Sequence, residues 1–245
     1  MRPRVPLWAL ALLAAVAAVA LIAQAPVLLR RLDAFRVDRV EVLGTRFLAP
    51  HEALEASGIT RTSSVFDDPE PWRAALLRHP LVADATIERK LPSTLIVRIV
   101  EEQPVALVRT PELRVVDANA RVLPIDPAGV VLDLPIVDAP ATVAEDGTLQ
   151  NEIAVALVET AVRLRGVHAG FAARISELAP VADGAIRLVL RDPPNAEVLL
   201  PAGLEAERLE QLRLTIADLE RRDELGEVRR IDVRFRDQVV VSLTL

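Results

Sequence analysis

The sequence predicts an α+β protein: an N-terminal transmembrane helix, a compact unit of order β-α-α-β-β, and a mixed α/β unit with a largely antiparallel sheet ending in a C-terminal strand pair. Three observations predict it. Residues 7–29 form an apolar run interrupted by the single polar side chain Gln24. After it, short runs of period two alternate with segments of helical period. Turn residues punctuate the chain at short intervals.

The 23 positions of residues 7–29, at 1.5 Å per helical residue, reach roughly 35 Å, enough for a hydrocarbon layer of about 30 Å. A permanent anchor, a cleaved signal peptide and a buried soluble helix are the three readings. Ala23-Gln24-Ala25 has the small-x-small form of a cleavage site, yet Pro26 directly follows the scissile bond. Length and flanks favour the anchor. Arg2 and Arg4 on one side nearly balance Arg30, Arg31 and Arg36 on the other. The short tail 1–6 is placed in the cytoplasm because the acidic body is easily exported. The expected division is then tail 1–6, transmembrane helix 7–29, linker 30–34, first unit 35–105 and second unit 106–245.

Composition narrows the chemistry. Hydrophobic residues make up 51% of the 245 and aromatics only 3%, so the core must be aliphatic. All 35 acidic side chains follow Leu32, and an acidic body poor in aromatics argues against nucleic-acid binding. With no Cys, disulfides, thiolate metal sites and cysteine nucleophiles drop out together.

In the first unit, Arg39-Val40-Glu41-Val42 alternates as a half-buried strand and turns at Gly44. A helix is expected over 48–56, with Pro50 in its first turn and Ser57-Gly58 as its stop. A second helix starts near Pro71, after Asp67, Asp68 and Glu70, with Trp72, Ala75, Leu76 and His79 as its stripe. Pro80 stops it. Ala83, Ala85 and Ile87, then Leu95, Val97 and Ile99 after a turn at Pro92-Ser93, give two more strands. Two helices covering one face of a three-stranded sheet bury both stripes.

The second unit begins with apolar runs at 105–108, 113–116, 122–123 and 134–137, spaced as a meander. In the turn Asp117-Ala118-Asn119-Ala120, Asn119 is the residue suited to the left-handed conformation. A helix is expected over 152–165, ended by Gly166, and strands over 173–178, 185–191 and 196–200. Leu209, Leu212, Ile216 and Leu219 mark a helix over 204–222 that Gly226 closes. Two alternating strands finish the chain, with Ile231, Val233 and Phe235 on one face and then Val239, Val241, Leu243 and Leu245 after Arg236-Asp237-Gln238.

Several strings in this order are recognisable. Arg78-His79-Pro80-Leu81-Val82, Ala85-Thr86-Ile87-Glu88-Arg89, Leu91-Pro92-Ser93-Thr94-Leu95 and Val100-Glu101-Glu102-Gln103-Pro104-Val105-Ala106 resemble the POTRA domain of the FtsQ/DivIB family of bacterial cell-division proteins. Residues 231–241, Ile231-Asp232-Val233-Arg234-Phe235-Arg236-Asp237-Gln238-Val239-Val240-Val241, resemble the C-terminal signature of the same family. Relatives commonly carry a glycine in the turn that is Asp117-Ala118-Asn119-Ala120 here.

The resemblance implies a non-catalytic scaffold of the divisome. Such a scaffold sits in the cell (inner) membrane at the septum, with its bulk periplasmic or otherwise extracytoplasmic, and coordinates septal peptidoglycan synthesis. Small coiled-coil proteins of the FtsB and FtsL type are its implied partners. Arg234, Phe235, Val239, Val240, Val241, Ser242 and Leu243 are the residues it marks for partner binding, through an incoming strand if 239–243 is a sheet edge. A central position for that strand is the alternative.

No catalytic constellation competes. His51, His79 and His168 fall in different elements and never at metal-ligand spacing. Adjacent acids such as Asp67-Asp68 and Glu101-Glu102 are what an acidic surface produces, and Ser63-Ser64 reads as loop. No cofactor, metal or small-molecule substrate is expected. The rival readings are another POTRA-containing envelope assembly or secretion component, an anchored envelope enzyme, and a peptidoglycan-binding module. The first would call for repeated units or a barrel, the second for a cleft with perturbed titratable groups, and the third for exposed aromatics.

Overall fold

The structure, a computed structural model, describes residues 12, 15–16, 29–30, 32–110 and 112–243. The expected tail 1–6 and nearly all of the expected membrane segment 7–29 lie outside the described residues. Among the described residues no helix is long and apolar enough to cross a membrane. Two compact units follow one another along the chain, the first ending at Glu101 and the second starting at Glu102.

In the first unit, strand β1 (Arg39–Leu43) runs parallel to β3 (Thr94–Glu101), and β2 (Val82–Lys90) runs antiparallel to it. The order β1-β3-β2 therefore puts β3 in the middle. Its Leu95, Val97 and Ile99 are buried, as alternation requires of one covered face. Helices α1 (Pro50–Ser57) and α2 (Glu70–Leu76) supply the cover.

Gly58 ends α1 in the left-handed conformation, φ 72°. At Gly44 the backbone has φ 88°, and an added Cβ would lie 2.2 Å from the Ile99 carbonyl oxygen. Only glycine allows the turn to pass so close to β3.

Two expectations need correction here. Helix α2 stops at Leu76, so His79 lies beyond it in the turn that leads to β2, with its Nδ1 accepting from the Leu81 amide. Leu76 is fully buried while Trp72 is half-buried. The predicted inward run starting at Ala83 is also displaced. A bulge between Val82 and Asp84 shifts the register, which buries Val82 and leaves Ala83 in solvent.

The second unit is built on a nine-stranded sheet of order β12-β11-β10-β9-β8-β7-β4-β5-β6. Its strands are β4 (Ala106–Arg109), β5 (Leu113–Val116), β6 (Val122–Leu123), β7 (Ile136–Val137), β8 (Ile175–Pro180), β9 (Ile186–Leu190), β10 (Glu197–Leu200), β11 (Val228–Asp232) and β12 (Val240–Leu243). Helices α3 (Glu152–Val167), the short α4 (Ala169–Ala172) and α5 (Ala206–Arg221) complete it.

Strands β4, β5 and β6 form the expected meander, but β7 does not extend it. It returns to pair in parallel with β4 on one side and with β8 on the other. Strands β10 and β11 are parallel as well. Parallel neighbours need a crossover. Helix α3 provides it between β7 and β8, and α5 provides it between β10 and β11. The sheet is therefore mixed, and the buried stripes Leu157, Leu164, Leu209, Leu212, Ile216 and Leu219 of these helices share one core with Leu178, Leu188, Val198 and Ile231.

Asn151 caps α3 by accepting from the Ile153 and Ala154 amides at 2.8 and 3.1 Å. Gly166 does not end that helix, which continues to Val167 with the His168 amide donating to the Leu164 carbonyl, and the His168 side chain caps the next turn. Helix α5 stops at Arg221 with Asp223 left-handed behind it, ahead of Gly226. In the turn 117–120 the left-handed residue is Ala120 and not Asn119. Asp117 sets this by accepting the Asn119 and Arg121 amides at 2.8 and 2.9 Å, while the Ala120 carbonyl accepts from Leu149.

Candidate functional site: the open edge at the C-terminal strand

Strand β12 ends the sheet. It pairs with β11 on one side, Asp232↔Val240, Ile231↔Val241, Arg230↔Ser242 and Val228↔Leu243, and no described strand lies on its other side. The opposite edge of the sheet is closed. The Val122 amide of β6 donates to the Gly147 carbonyl, and Arg121 bridges Thr148. In the first unit the β2 edge is capped at Ala85. There Asp84 accepts the Ala85 amide, and the Arg73 guanidinium donates to both the Ala85 carbonyl and the Asp84 carboxylate, each at 2.9 Å. Capped edges resist further pairing. β12 has neither kind of cover among the described residues.

The seven residues singled out from the sequence fall into two groups. Arg234 and Phe235 lie on the connection between β11 and β12, since β11 stops at Asp232 and not at Phe235 as alternation suggested. Val239 leads into the strand, which Val240, Val241, Ser242 and Leu243 form. Val239 and Val241 pack against the core, whereas Val240 and Leu243 are each 39% exposed and Phe235 is 46% exposed. Leu243 therefore does not face inward as the alternation implied. The bulge between Val228 and Arg230 rotates the pairing at that end.

Side chains from elsewhere fix this geometry. The Asp232 carboxylate, itself buried, accepts three bonds from Arg234: its amide and Nε on Oδ1, and Nη2 on Oδ2 at 2.6 Å. The Arg234 guanidinium holds the Asp232 carboxyl below its usual range, against the opposing effect of burial. Arg208 of α5 donates to the Phe235 and Arg236 carbonyls at 2.6 and 2.9 Å. It thereby orients the loop that carries Phe235.

A row of alternating charge crosses the sheet behind the edge. Glu177 on β8, Arg187 on β9, Glu197 on β10 and Arg230 on β11 lie in sequence, with contacts of 3.3, 3.5 and 2.7 Å. Arg230 is the main reason that the Glu197 carboxyl sits below its usual range. The row stops next to Ser242. Arg208 and this row were invisible to sequence reasoning, because their partners are many residues distant. Only the (i, i+2) pair Asp232–Arg234 was close enough in sequence to have been noticed.

His79 Nδ1 accepts from the Leu81 amide and His168 Nδ1 from the Phe171 amide, while His168 Nε2 lies 3.8 Å from the Glu220 carboxylate. Among the described residues no three His, Asp or Glu side chains gather as a metal site would require. The Ser64 hydroxyl donates to the Phe35 carbonyl and accepts from the Phe66 amide.

A β-α-α-β-β unit followed by a wide mixed sheet in which β12 is an edge strand among the described residues defines the class: a POTRA-containing protein. Family comparison agrees. Residues 35–102 match the POTRA domain, FtsQ-type, and residues 106–234 match the model described as Cell division protein FtsQ/DivIB, C-terminal. The chain belongs to the FtsQ/DivIB family of cell-division proteins.

Among its relatives, Cell division protein FtsQ of Anaeromyxobacter sp. is 31% identical over 86% of this chain and 72% of its own length. Cell division protein FtsQ of Syntrophotalea carbinolica is 31% identical over 54% of this chain, a match spanning 46% of that protein. Cell division protein DivIB of Geobacillus kaustophilus is 34% identical over 29% of this chain and 28% of its own length.

Proposed function

We propose that this protein is a single-pass inner- or plasma-membrane scaffold of the bacterial divisome, linking early and late division proteins and helping to control septal peptidoglycan synthesis. Residues 7–29 anchor it with the N-terminus in the cytoplasm, and the two described units are extracytoplasmic at the septum. It works by docking, with no bond made or broken.

The observation that carries this reading is the uncovered β12 edge. Unpaired N–H and C=O groups along Val240–Leu243 give an incoming strand its hydrogen bonds, and side chains at alternate positions set its register. Exposed Val240, Leu243 and Phe235 supply apolar contact beside them. The partners are membrane division proteins of the FtsB and FtsL type, with Arg234, Phe235 and 239–243 as the contact.

Truncation after Gln238 tests the site. The shortened chain is expected to keep its fold and lose capture of the partner. Retained capture by a folded, truncated chain sinks the assignment. A fluorescent fusion that shows no midcell band through division would remove the divisome role itself.

A further inference from the structure

The first unit is fastened to the chain immediately after the proposed anchor. Arg30 Nε donates to the Phe66 carbonyl at 2.8 Å, and the guanidinium lies 3.7 Å from Asp67. Phe35 meets Phe66 edge to face at 5.0 Å, and the Val37 and Val65 amides donate to the Ser63 and Phe35 carbonyls. If the anchor ends at Leu29, no slack remains, because one residue spans at most about 3.6 Å. The end of the unit that holds Arg30 is therefore kept within reach of the bilayer surface.

That end is composed for such a position. The Asp38 and Arg39 amides both donate to the Ser93 carbonyl, which brings the β2–β3 turn to the start of β1, and Arg61 lines the same recess as Arg36 and Ser93. Leu91 at the tip of that turn is 60% exposed and Leu32 is 47% exposed. Around them stand Arg36 and Lys90, whose side chains are 58% and 62% exposed, with Arg39 and Arg61. Asp33 and Glu41 offset Arg36 and Lys90 at 3.0 and 3.6 Å. Arg39 and Arg61 have no ion-pair partner among the described residues. Exposed Asp38 lines the recess with Arg36 and Arg61, so the end carries mixed charge in which Arg39 and Arg61 are the cations left without an ion-pair partner among the described residues. Two exposed leucines beside such cations, in a chain of net charge −6, suit a surface that rests on anionic lipid.

We infer that this end of the first unit is a membrane-contact surface for anionic phospholipid headgroups, which fixes how the unit stands on the bilayer. Leu32 and Leu91 enter the interface, and Arg36, Arg39, Arg61 and Lys90 reach the phosphates. Strands β2 and β3 then rise from the membrane. The nine residues of β2, at about 3.4 Å each, carry Val82 and the preceding turn roughly 30 Å outward. The inference rests on the anchor of the proposed function and adds the lipid class and the face that reads it.

The absence of native cysteine permits a direct test. Full-length chains with Leu91→Cys or Arg78→Cys, each carrying one environment-sensitive fluorophore, are reconstituted in phosphatidylcholine vesicles with or without phosphatidylglycerol. A lipid bearing a nitroxide in its headgroup region serves as quencher. The expected result is several-fold stronger quenching at position 91 than at 78 in the anionic vesicles. Exchange of Arg36, Arg39 and Arg61 for Gln, or omission of phosphatidylglycerol, should bring position 91 towards the level of 78. Equal quenching at both positions, or quenching at 91 indifferent to lipid charge and to the three substitutions, overturns the inference. Alkaline carbonate extraction separates the two layers of the claim. Release of the chain removes the anchor reading, whereas retention with position 91 unquenched removes the headgroup contact alone.

Discussion

Asp232 and Arg234 are locked together two residues apart, with the buried carboxylate taking the guanidinium of its neighbour on both oxygens and its amide on one. The pair sits where β11 gives way to the loop before the edge strand. It therefore sets the path of Phe235. Asp232→Asn is expected to destabilise the second unit by about 1–2 kcal/mol, the scale of charge-assisted hydrogen bonds at a partly solvated site. Because the folded carboxyl titrates below its ordinary value, the stability it contributes is present above the unfolded value of about 3.9 and is lost as pH falls through the folded one. Denaturant midpoints of wild type and variant should differ at neutral pH and converge below about pH 4.

Phe235 is 46% exposed, and its loop is held by Arg208 through backbone carbonyls. Phe235→Ala should leave the thermal midpoint close to that of the wild type, since little packing is lost. Partner affinity should drop by roughly 10- to 100-fold if the ring is an anchor of the docking surface. Titration calorimetry with the captured partner separates the two effects.

The Glu101 carboxylate accepts the amides of Arg46, Phe47 and Leu48 at 2.8 to 3.1 Å. It ties the loop before α1 to the last residue of β3. Glu101→Gln keeps the shape but removes the charge from these bonds, which should cost about 1–2 kcal/mol. Hydrogen exchange should rise first at the amides of Arg46, Phe47 and Leu48.

Two glycines should respond in opposite directions to alanine. Gly44→Ala sets a Cβ against the Ile99 carbonyl at a positive φ and should destabilise by more than about 1 kcal/mol. Gly166 lies inside α3 with open space around it. Gly166→Ala should stabilise by roughly 0.5–1 kcal/mol, the helix-propensity difference. Denaturation of the two variants beside the wild type reads both signs.

The sequence by itself determined what depends on neighbours along the chain. Alternation located strands such as Arg39–Leu43 and Thr94–Glu101. The 3.6-residue stripe of Leu209, Leu212, Ile216 and Leu219 located α5. The ordered strings on either side of Pro80 and after Ile231 were enough to point to the family. Single-residue rules failed where neighbouring groups decide. Gly166 remains helical, with the His168 amide still donating to the Leu164 carbonyl, and Ala120 takes the left-handed position because Asp117 holds the amides around it.

Only the tertiary structure decided strand order. A run such as Ile136–Val137 looks the same whether it continues a meander or crosses back beside β4, because strand pairing is a contact between residues far apart in sequence. The same holds for the edge. Nothing within residues 239–243 says whether another strand covers them. That is decided by the crossover of α5, which brings β11 alongside β10 and leaves β12 last in the sheet, with no described strand along its outer side.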